Sequence, residues 1–296
     1  MRIALAAPGG TVGRKLVAEL LARGRHELRL LVRRPQTVEH FARRGADVLP
    51  GSLDDERFLV RATRGVDAVF WVTPLVPDAD DLRAVQRRVG RAASRALQAN
   101  GIQRLVNLSA VGESRAGPLA GLRDVECMLE QAVPHTTHLR SAYLFENYLS
   151  QIDPIRLHGS VLLPVSAATR IPMIAARDVA WAAAERVLDP DWYGRCTCEL
   201  HGPSDLRFDE AAALLSRALG RRVTHLRAPG HIARQRWRAA GFSQDVARVL
   251  EELYRAMENG AMQAGQERTA ASTTPTRLDE FGRTLLRALL GGRVAS

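Results

Sequence analysis

The first half of the chain alternates between short apolar runs and longer segments whose apolar residues recur at helical spacing. The short runs are rich in Val and Leu and lack polar alternation, which is typical of parallel strands covered on both faces. Strands and helices in series predict right-handed crossovers and a doubly wound, Rossmann-like α/β sheet. The predicted strands are 2–7, 27–32, 46–51, 67–73 and 104–110, and the predicted helices are 11–23, 37–45, 54–65 and 79–99.

After about residue 150 the pattern becomes less regular, and helical segments dominate. We therefore divide the chain into a sheet-containing core over 1–150 and a smaller, mostly helical C-terminal lobe over 151–296. Strands near 136–141, 169–173 and 195–200 are expected to return to the core. The lobe is predicted to contain helices at 177–188, 208–219, 230–240, 243–260 and 278–290, a further strand at 222–227 and a polar loop at 260–277.

The composition fits a globular protein, since 46% of the 296 residues are hydrophobic and can form a sizeable core. No apolar run reaches the roughly 18 residues that cross a bilayer. The N-terminus has a strand pattern with glycines and not that of a signal peptide. We therefore expect a cytoplasmic protein that has no membrane partner.

The formal net charge of +10 raises the question of nucleic-acid binding. The basic residues are almost all arginines scattered along every helix, and Lys15 is the single lysine. Basic runs with interleaved aromatic residues are missing from the sequence. A nucleic-acid partner is therefore not favoured, and a small-molecule ligand is the better hypothesis.

The three cysteines are too few and too dispersed for a disulfide framework. Cys196 and Cys198 flank Thr197 in a predicted strand, so both should point to the same face. A metal site would need more ligands than the neighbouring His201. We interpret the two cysteines as buried strand thiols and predict no metal site.

The stretch "APGGTVG" at 7–13 lies between the first strand and the first helix. Dinucleotide-binding turns use three glycines, for the tight bend, for approach to the pyrophosphate and for close helix packing. Gly10 and Gly13 keep the last two positions, whereas Ala7 replaces the first. The additional Gly9 offers flexibility in its place. This context predicts a dinucleotide site.

The residues after the second strand indicate which dinucleotide binds. NAD sites carry an acidic residue there, which bonds the ribose 2′-hydroxyl. The sequence "LLVRRPQ" places Arg33 and Arg34 at this point. Guanidinium groups match a phosphate with paired hydrogen bonds, so NADPH is predicted in preference to NADH.

Several segments together resemble the NmrA-like family of atypical short-chain dehydrogenase/reductases, among them "GGTVG", "LVRRP", "GVDAVFWVTP" and "GIQRLVNLSAVG". The resemblance covers nearly the whole chain. It implies an NAD(P)-binding Rossmann core over 1–150, a substrate-binding lobe over 151–296 and a cleft between them. It also implies either reduction of small organic substrates or redox sensing without turnover.

Residue by residue, the resemblance places the pyrophosphate at Gly10, Thr11, Val12 and Gly13. It also places the 2′-phosphate of NADPH at Arg33.

Further along the cofactor, the resemblance places Ser52 and Leu53 beside the adenine, where the family usually has Asp-Leu. Thr73 and Pro74 would line the ribose side of the groove.

At the reactive end, the resemblance places Ser109 near the nicotinamide ribose. It places Tyr143, Leu144 and Asn147 against the nicotinamide and the substrate. Tyr143, Asn147 and Ser109 are therefore the catalytic candidates. Tyr143 as a packed aromatic residue and Asn147 as a turn residue remain open alternatives.

One departure from the family bears on the chemistry. The family often carries a lysine four residues before a glutamate in the helix after strand five. Glu126 matches that glutamate, and Leu122 stands at the lysine position. Such a lysine bonds the nicotinamide ribose and supports proton transfer. Tyr143 is then the best remaining proton donor, whereas hydride transfer needs only a positioned cofactor.

Other residues carry weaker signals. His158 and His201 are isolated histidines without a positional argument, and Asp178 is expected to cap the helix at 178–188. The aromatic residues of the lobe form either an apolar wall for an aromatic substrate or ordinary helix packing. These aromatic residues are Trp237, Phe242 and Tyr254.

The leading hypothesis is an NADPH-dependent oxidoreductase that reduces a small apolar or aromatic carbonyl, quinone or enone, as in secondary metabolism. One alternative is a non-catalytic NADP(H)-sensing regulator. Another is a non-redox dehydratase or cyclase on the same scaffold, because fold does not fix function. A monomer or a homodimer is expected in either case.

Overall fold

The computed structural model of the protein describes residues 1–24, 26–112 and 116–289. Its main feature is a sheet of seven strands in the order β10-β6-β5-β4-β1-β2-β3, in which every neighbouring pair is parallel. The strands are β1 (Arg2–Ala6), β2 (Glu27–Val32), β3 (Asp47–Pro50), β4 (Ala68–Val72), β5 (Arg104–Ala110), β6 (His135–Ser141) and β10 (Arg195–Leu200). This order confirms the predicted Rossmann-like fold, and it reverses between β1 and β4, where ligands bind at the carboxyl ends of the strands.

Helices cover both faces of the sheet. One layer contains α1 (Gly13–Arg23), α2 (Glu39–Ala42) and α7 (Ala176–Leu188), whose apolar side chains form one core with β1 and β2. The other layer contains α3 (Glu56–Ala62), α4 (Leu82–Ala99) and α5 (Ala120–Ala132). Two buried faces explain why the strands read as continuous apolar runs.

The C-terminal lobe has its own apolar core, built around Phe208, Leu215 and Leu285. Its helices are α6 (Ile152–His158), α8 (Phe208–Leu219), α9 (Gly230–Ala239), α10 (Gln244–Glu258) and α11 (Leu278–Leu289). Its strands form two small sheets, β7 (Tyr143–Leu144) with β9 (Arg170–Ile174) and β11 (Asp205–Arg207), and β8 (Ser160–Leu163) with β12 (Thr224–Arg227).

The lobe contacts the core at α10. The Asp245 carboxylate accepts a hydrogen bond of 2.9 Å from the backbone N–H of Leu82, at the start of α4. The Ser243 N–H donates to the Pro77 carbonyl at 2.7 Å. These bonds hold α10 against the segment that follows β4, where the predicted cleft lies.

Most predicted elements are present, with two differences. The helix predicted at 37–45 is reduced to a 3₁₀ turn at Pro35–Val38 and the four residues of α2. The predicted strand at 169–173 is β9, which pairs in a small sheet of the lobe and not in the main sheet. β10 does return to the main sheet, and α7 covers it, while the division at residue 150 stays a prediction.

None of the helices in the described part of the chain is long and apolar enough to cross a membrane.

Candidate functional site

The turn between β1 and α1 is built around Ala7, which has a φ of 51° and is the only non-glycine with positive φ in the described ranges. Its carbonyl accepts a hydrogen bond of 3.0 Å from the N–H of Gly10. A side chain on Gly13 would clash with this carbonyl. The expectation that Gly9 supplies the missing flexibility is wrong, because the left-handed conformation is at Ala7 itself and Gly9 has no positive φ.

The start of α1 is suited to an anion. Val12 is the residue before the helix, and it provides no side-chain cap; its side chain is buried in the core. Thr11 is exposed and Gly13 is buried below the turn. The N–H groups of the first helical turn thus face the carboxyl edge of the sheet without a side-chain cap, and such groups bind phosphates.

A groove of about 400 Å³ begins at this turn, and we call it the arginine groove. Gly9 and Gly10 line one end of it, and the residues after β2 and β3 line the other. Arginine side chains dominate its polar lining within the described residues. These are Arg14, Arg33, Arg34 and Arg88.

Among the lining residues that the structure describes, Asp54 is the one carboxylate of the groove. It accepts hydrogen bonds from the Ser52 hydroxyl at 2.5 Å and from Arg88 at 3.1 Å. These two bonds lower the pKa of Asp54, so the carboxylate is ionised and engaged. Arg33 and Arg34 are exposed on the groove. The predicted adenine neighbours Ser52 and Leu53 also line it.

A second cavity of about 310 Å³ lies beyond the end of β4, and we call it the apolar cavity. Thr73 lines the apolar cavity and Pro74 lines the arginine groove, so both spaces border this segment. The Thr73 hydroxyl accepts a hydrogen bond of 3.2 Å from the Trp71 indole. Aliphatic residues such as Leu122 and Leu253 make up most of the lining, and none of the described lining residues is charged.

The predicted reactive residues Tyr143, Leu144 and Asn147 all line the apolar cavity. The Tyr143 hydroxyl lies 3.3 Å from the Tyr254 hydroxyl. Burial raises the pKa of Tyr143 well above its ordinary value, and the neighbouring Tyr254 and Tyr148 add to the effect. Tyr143 therefore stays protonated and is a hydrogen-bond donor more than an acid.

A third cavity of about 540 Å³ shares Leu75, Tyr143 and Asn147 with the apolar cavity. Its outer wall includes Trp237 and Tyr254, whose rings stack at 6.0 Å with an interplanar angle of 12°. Phe242 lines it as well. The lobe aromatics thus both pack together and face a cavity, so the two alternatives for these residues are compatible.

Ser109 does not line the groove or the apolar cavity. Its hydroxyl is buried and accepts a hydrogen bond of 2.9 Å from Arg123. Arg123 also binds Glu126 at 2.6 Å and the carbonyl groups of Ala110 and Gly112. The structure thus engages Ser109 in an ion network below the end of β5, and its contact with the cofactor stays a prediction.

Glu126 is the centre of this network. It pairs with Arg140 at 2.7 Å in addition to Arg123. Burial alone would raise the pKa of Glu126, but the hydrogen bonds from Arg140 and Ser109 and the charge of Arg123 outweigh it and lower the pKa. Lys15, on α1, lies 3.8 Å from Glu146 and does not take over the position at Leu122.

Three weaker candidates lie outside the cavities. Asp178 does not cap α7, which begins two residues earlier; it accepts hydrogen bonds from the N–H and the hydroxyl of Thr276 at 3.0 and 2.6 Å. The expectation of a cap is wrong because the carboxylate secures the chain before α11. His158 is exposed at the end of α6, and His201 is fully buried, which lowers its pKa.

Arg14, Arg88 and Asp54 are groove residues that sequence reasoning missed. Arg14 directly follows the last glycine of the turn, so its position was a usable signal. Arg88 comes from α4, and only the packing of α4 against α3 brings it to Asp54. In the described ranges, no cluster of three or more His, Cys, Asp or Glu residues is placed to hold a metal ion.

Comparison with known proteins places the chain in a recognisable group. The model of the NmrA-like family matches residues 1–281. The chain is 28% identical over 248 residues to an NAD(P)H azoreductase of Xenophilus azovorans, with 83% of each chain covered. It is 34% identical over 218 residues to the (4-alkanoyl-5-oxo-2,5-dihydrofuran-3-yl)methyl phosphate reductase of Streptomyces griseus subsp. griseus, with 72% of each covered. The triphenylmethane reductase of Citrobacter sp. complexed with NADP(H) has a TM-score of 0.78 at 19% identity, over 97% of this chain and 99% of that one.

Proposed function

Because the chain belongs to the NmrA-like family, we propose that it is an NADPH-dependent reductase of small, apolar, conjugated acceptors. The observation that carries the proposal is that consecutive residues, Thr73 and Pro74, line the apolar cavity and the arginine groove, so the two spaces are neighbours. A polar groove beside an uncharged cavity matches a dinucleotide next to an apolar substrate.

The residues of the groove fit NADPH. Gly10 and the open start of α1 would bind the pyrophosphate, since N–H groups at a helix N-terminus attract anions. Arg33 and Arg34 would hold the 2′-phosphate with charge-assisted hydrogen bonds. When bound, NADPH supplies the hydride. The chain's own part is to orient the cofactor and to keep water out of the apolar cavity.

The apolar cavity favours acceptors that need little help with a proton. Leu122 cannot donate one, and Tyr143 keeps its own because its pKa is raised. A hydride added to a quinone leaves a phenolate, whose conjugate acid has a pKa of about 10, as in tyrosine. The alkoxide from a simple ketone is about as basic as hydroxide and is therefore a far stronger base than a phenolate. A hydrogen bond from Tyr143 is then enough for the phenolate but not for the alkoxide.

The two curated relatives support this substrate class. The azoreductase is named for an azo acceptor. The name of the Streptomyces reductase describes a compound with an alkanoyl group on an oxo-dihydrofuran ring. In the second name, the alkanoyl and oxo groups are conjugated with the ring double bond. For this chain the class is therefore quinones, enones and related acceptors, with aromatic ones fitting best beside Leu253 and Tyr143.

The test starts from protein freed of cofactor. NADPH and NADH are titrated by fluorescence, and NADPH oxidation is then followed with matched acceptors: a naphthoquinone against 2-tetralone, whose carbonyl is not conjugated with the ring, and cyclohexenone against cyclohexanone. We expect tighter binding of NADPH and turnover of the conjugated member of each pair only. Equal turnover of the unconjugated ketones would overturn the argument about the proton, and preference for NADH would overturn the assignment of the groove.

A regulatory role remains the second candidate, and Leu122 is the observation that favours it. A sensor needs the arginine groove but no proton transfer in the apolar cavity. Tight NADPH binding without turnover of any acceptor, together with a change of oligomeric state between NADPH and NADP⁺, would select this alternative.

A further inference from the structure

Cys196 and Cys198 are partly exposed, and the interpretation of buried strand thiols is therefore wrong. The reason is the position of β10, which is an end strand of the main sheet. Their Sγ atoms lie 3.9 Å apart on one face of the strand. The pair is separate from the arginine groove and from the apolar cavity, neither of which it lines.

The surroundings of Cys196 are those of a thiolate. The Arg186 guanidinium on α7 donates to its Sγ atom at 3.2 Å, and the Thr137 hydroxyl on β6 lies 3.3 Å from the same atom. Arg186 Nε also donates to Thr137 Oγ1 at 2.8 Å, so the hydroxyl proton of Thr137 is free to point at the sulfur. Two donors around one sulfur, one of which is a cation, stabilise its negative form.

Arg186 is held in place by a second set of contacts. Its guanidinium lies 4.4 Å from the centre of the Trp192 ring, and the Trp192 indole donates to the Arg186 carbonyl at 2.8 Å. Asp189, at 3.9 Å, is the acidic group near it. Arg195, at the exposed start of β10, adds positive charge on the strand itself. These contacts therefore hold the Arg186 guanidinium where it donates to Cys196 Sγ.

We propose that Cys196 and Cys198 form a redox-active dithiol that exchanges with small disulfides. The Cys196 thiolate attacks one sulfur of the disulfide, forms a mixed disulfide and releases one thiolate. Cys198 then loses its proton and attacks Cys196 Sγ, which closes the Cys196–Cys198 bond and releases the second thiolate. The small disulfide gains two electrons and two protons in all, and the protein dithiol loses them.

The order of attack follows from the environment of each sulfur. Hydrogen bonds from Cys198, Thr137 and Arg186, with the charge of Arg186, lower the pKa of Cys196, whereas the hydrogen bond to Cys196 and burial raise that of Cys198. Two residues of a strand span about 6.6 Å, near the upper limit for a disulfide. Such a bond is strained and easily reduced, as in regulatory or catalytic disulfides.

The test is intact-mass analysis of the full protein during incubation with oxidised glutathione. We expect the wild type to lose the mass of two hydrogen atoms. Cys198→Ser should stop with one glutathione on Cys196, and Cys196→Ser should react at least tenfold more slowly. Cys127→Ser, on α5, is the matched control and should behave like the wild type. Equal modification of all three cysteines, or a wild type that stops at the mixed disulfide, would overturn the proposal.

The role of Arg186 is tested by the pH dependence of the first step. In the wild type the rate at Cys196 should change little from about pH 6 to pH 8, whereas in Arg186→Gln it should rise with pH over this range. Thr137→Val keeps the shape of the side chain and the Trp192 stack, so it gives the same comparison if Arg186→Gln is poorly folded. Profiles identical to the wild type in both variants would contradict the assignment. None of these measurements requires NADPH.

Discussion

The carbonyl oxygen of Ala7 occupies the space that a side chain at Gly13 would need. Ala7 is held there with a φ of 51°, in the left-handed region that glycine adopts more easily. The third glycine of the turn is thus required by close packing, whereas the first position tolerates alanine at an energetic cost. This explains how the turn keeps its shape although one glycine is missing.

Ala7→Gly is expected to stabilise the protein. The left-handed conformation costs an L-residue about 1–2 kcal/mol, and the greater freedom of glycine in the unfolded chain offsets about 0.4–1 kcal/mol of the gain. The free energy of unfolding should therefore rise by about 0.5–1 kcal/mol, measured by urea denaturation. NADPH affinity should not fall, because the side chain at position 7 makes no polar contact.

Ala6→Gly is the matched control for this substitution. Ala6 is buried at the end of β1 and has no positive φ, so the same change there should lower the free energy of unfolding by about 1 kcal/mol. A loss of stability in both variants would mean that Ala7 is not strained.

Arg33→Glu should weaken the preference of the protein for NADPH over NADH. A charge-assisted hydrogen bond contributes about 1.5–3 kcal/mol, so NADPH should bind roughly tenfold to a hundredfold more weakly. NADH, which lacks the 2′-phosphate, should change by less than about threefold. Titration of both cofactors measures the difference. Arg91→Glu, on the exposed side of α4 away from the groove, controls for net charge; a parallel loss of both cofactors in Arg33→Glu would contradict the assignment.

Glu126→Gln should lower stability in a pH-dependent way. The folded-state pKa of Glu126 is below its unfolded value of about 4.3, so its contribution is present above that pH and is lost as pH falls through the folded pKa. Breaking a buried ion pair costs about 3–5 kcal/mol at neutral pH. Urea denaturation from pH 7 downwards should show the difference from wild type shrinking below about pH 4.

Glu130→Gln provides the comparison for this network. Glu130 is on the same helix and is one-third exposed, and it binds His138 at 3.1 Å. Its loss should cost less than about 1 kcal/mol, as for exposed pairs. Equal losses in the free energy of unfolding for the two variants would show that the ion network below Ser109 contributes no more to stability than an exposed ion pair does.

The sequence predicted best what local patterning determines. The bounds of β2, β5 and α8 agree with the predicted ranges 27–32, 104–110 and 208–219. Apolar periodicity and glycine stops carry that information along the chain itself. The helix at 37–45 was too long because Pro35 begins a 3₁₀ turn there.

Properties that depend on tertiary placement were not predictable. The spacing of Cys196 and Cys198 indicated a common face, but their exposure depends on β10 being an end strand. The ion pair of Arg88 with Asp54 joins helix α4 to the loop before α3, and no local sequence pattern predicts this pair. Ser109 likewise has the expected strand position, while its partner Arg123 comes from α5.

Leu122→Lys should extend the substrate range to simple ketones. Leu122 lines the apolar cavity together with Tyr143, so an ammonium group there would enter the same cavity as the phenol. Burial lowers the pKa of a lysine and makes it a better acid near neutral pH. General acid catalysis contributes about 10²–10⁴-fold, so kcat/KM for 2-tetralone and cyclohexanone should rise by at least tenfold, whereas that for the quinone should change little. Leu122→Met controls for the change of shape, and it should leave kcat/KM for the ketones and for the quinone as in the wild type. If the lysine variant binds NADPH and still leaves ketones untouched, the missing proton donor is not what restricts this site to conjugated acceptors.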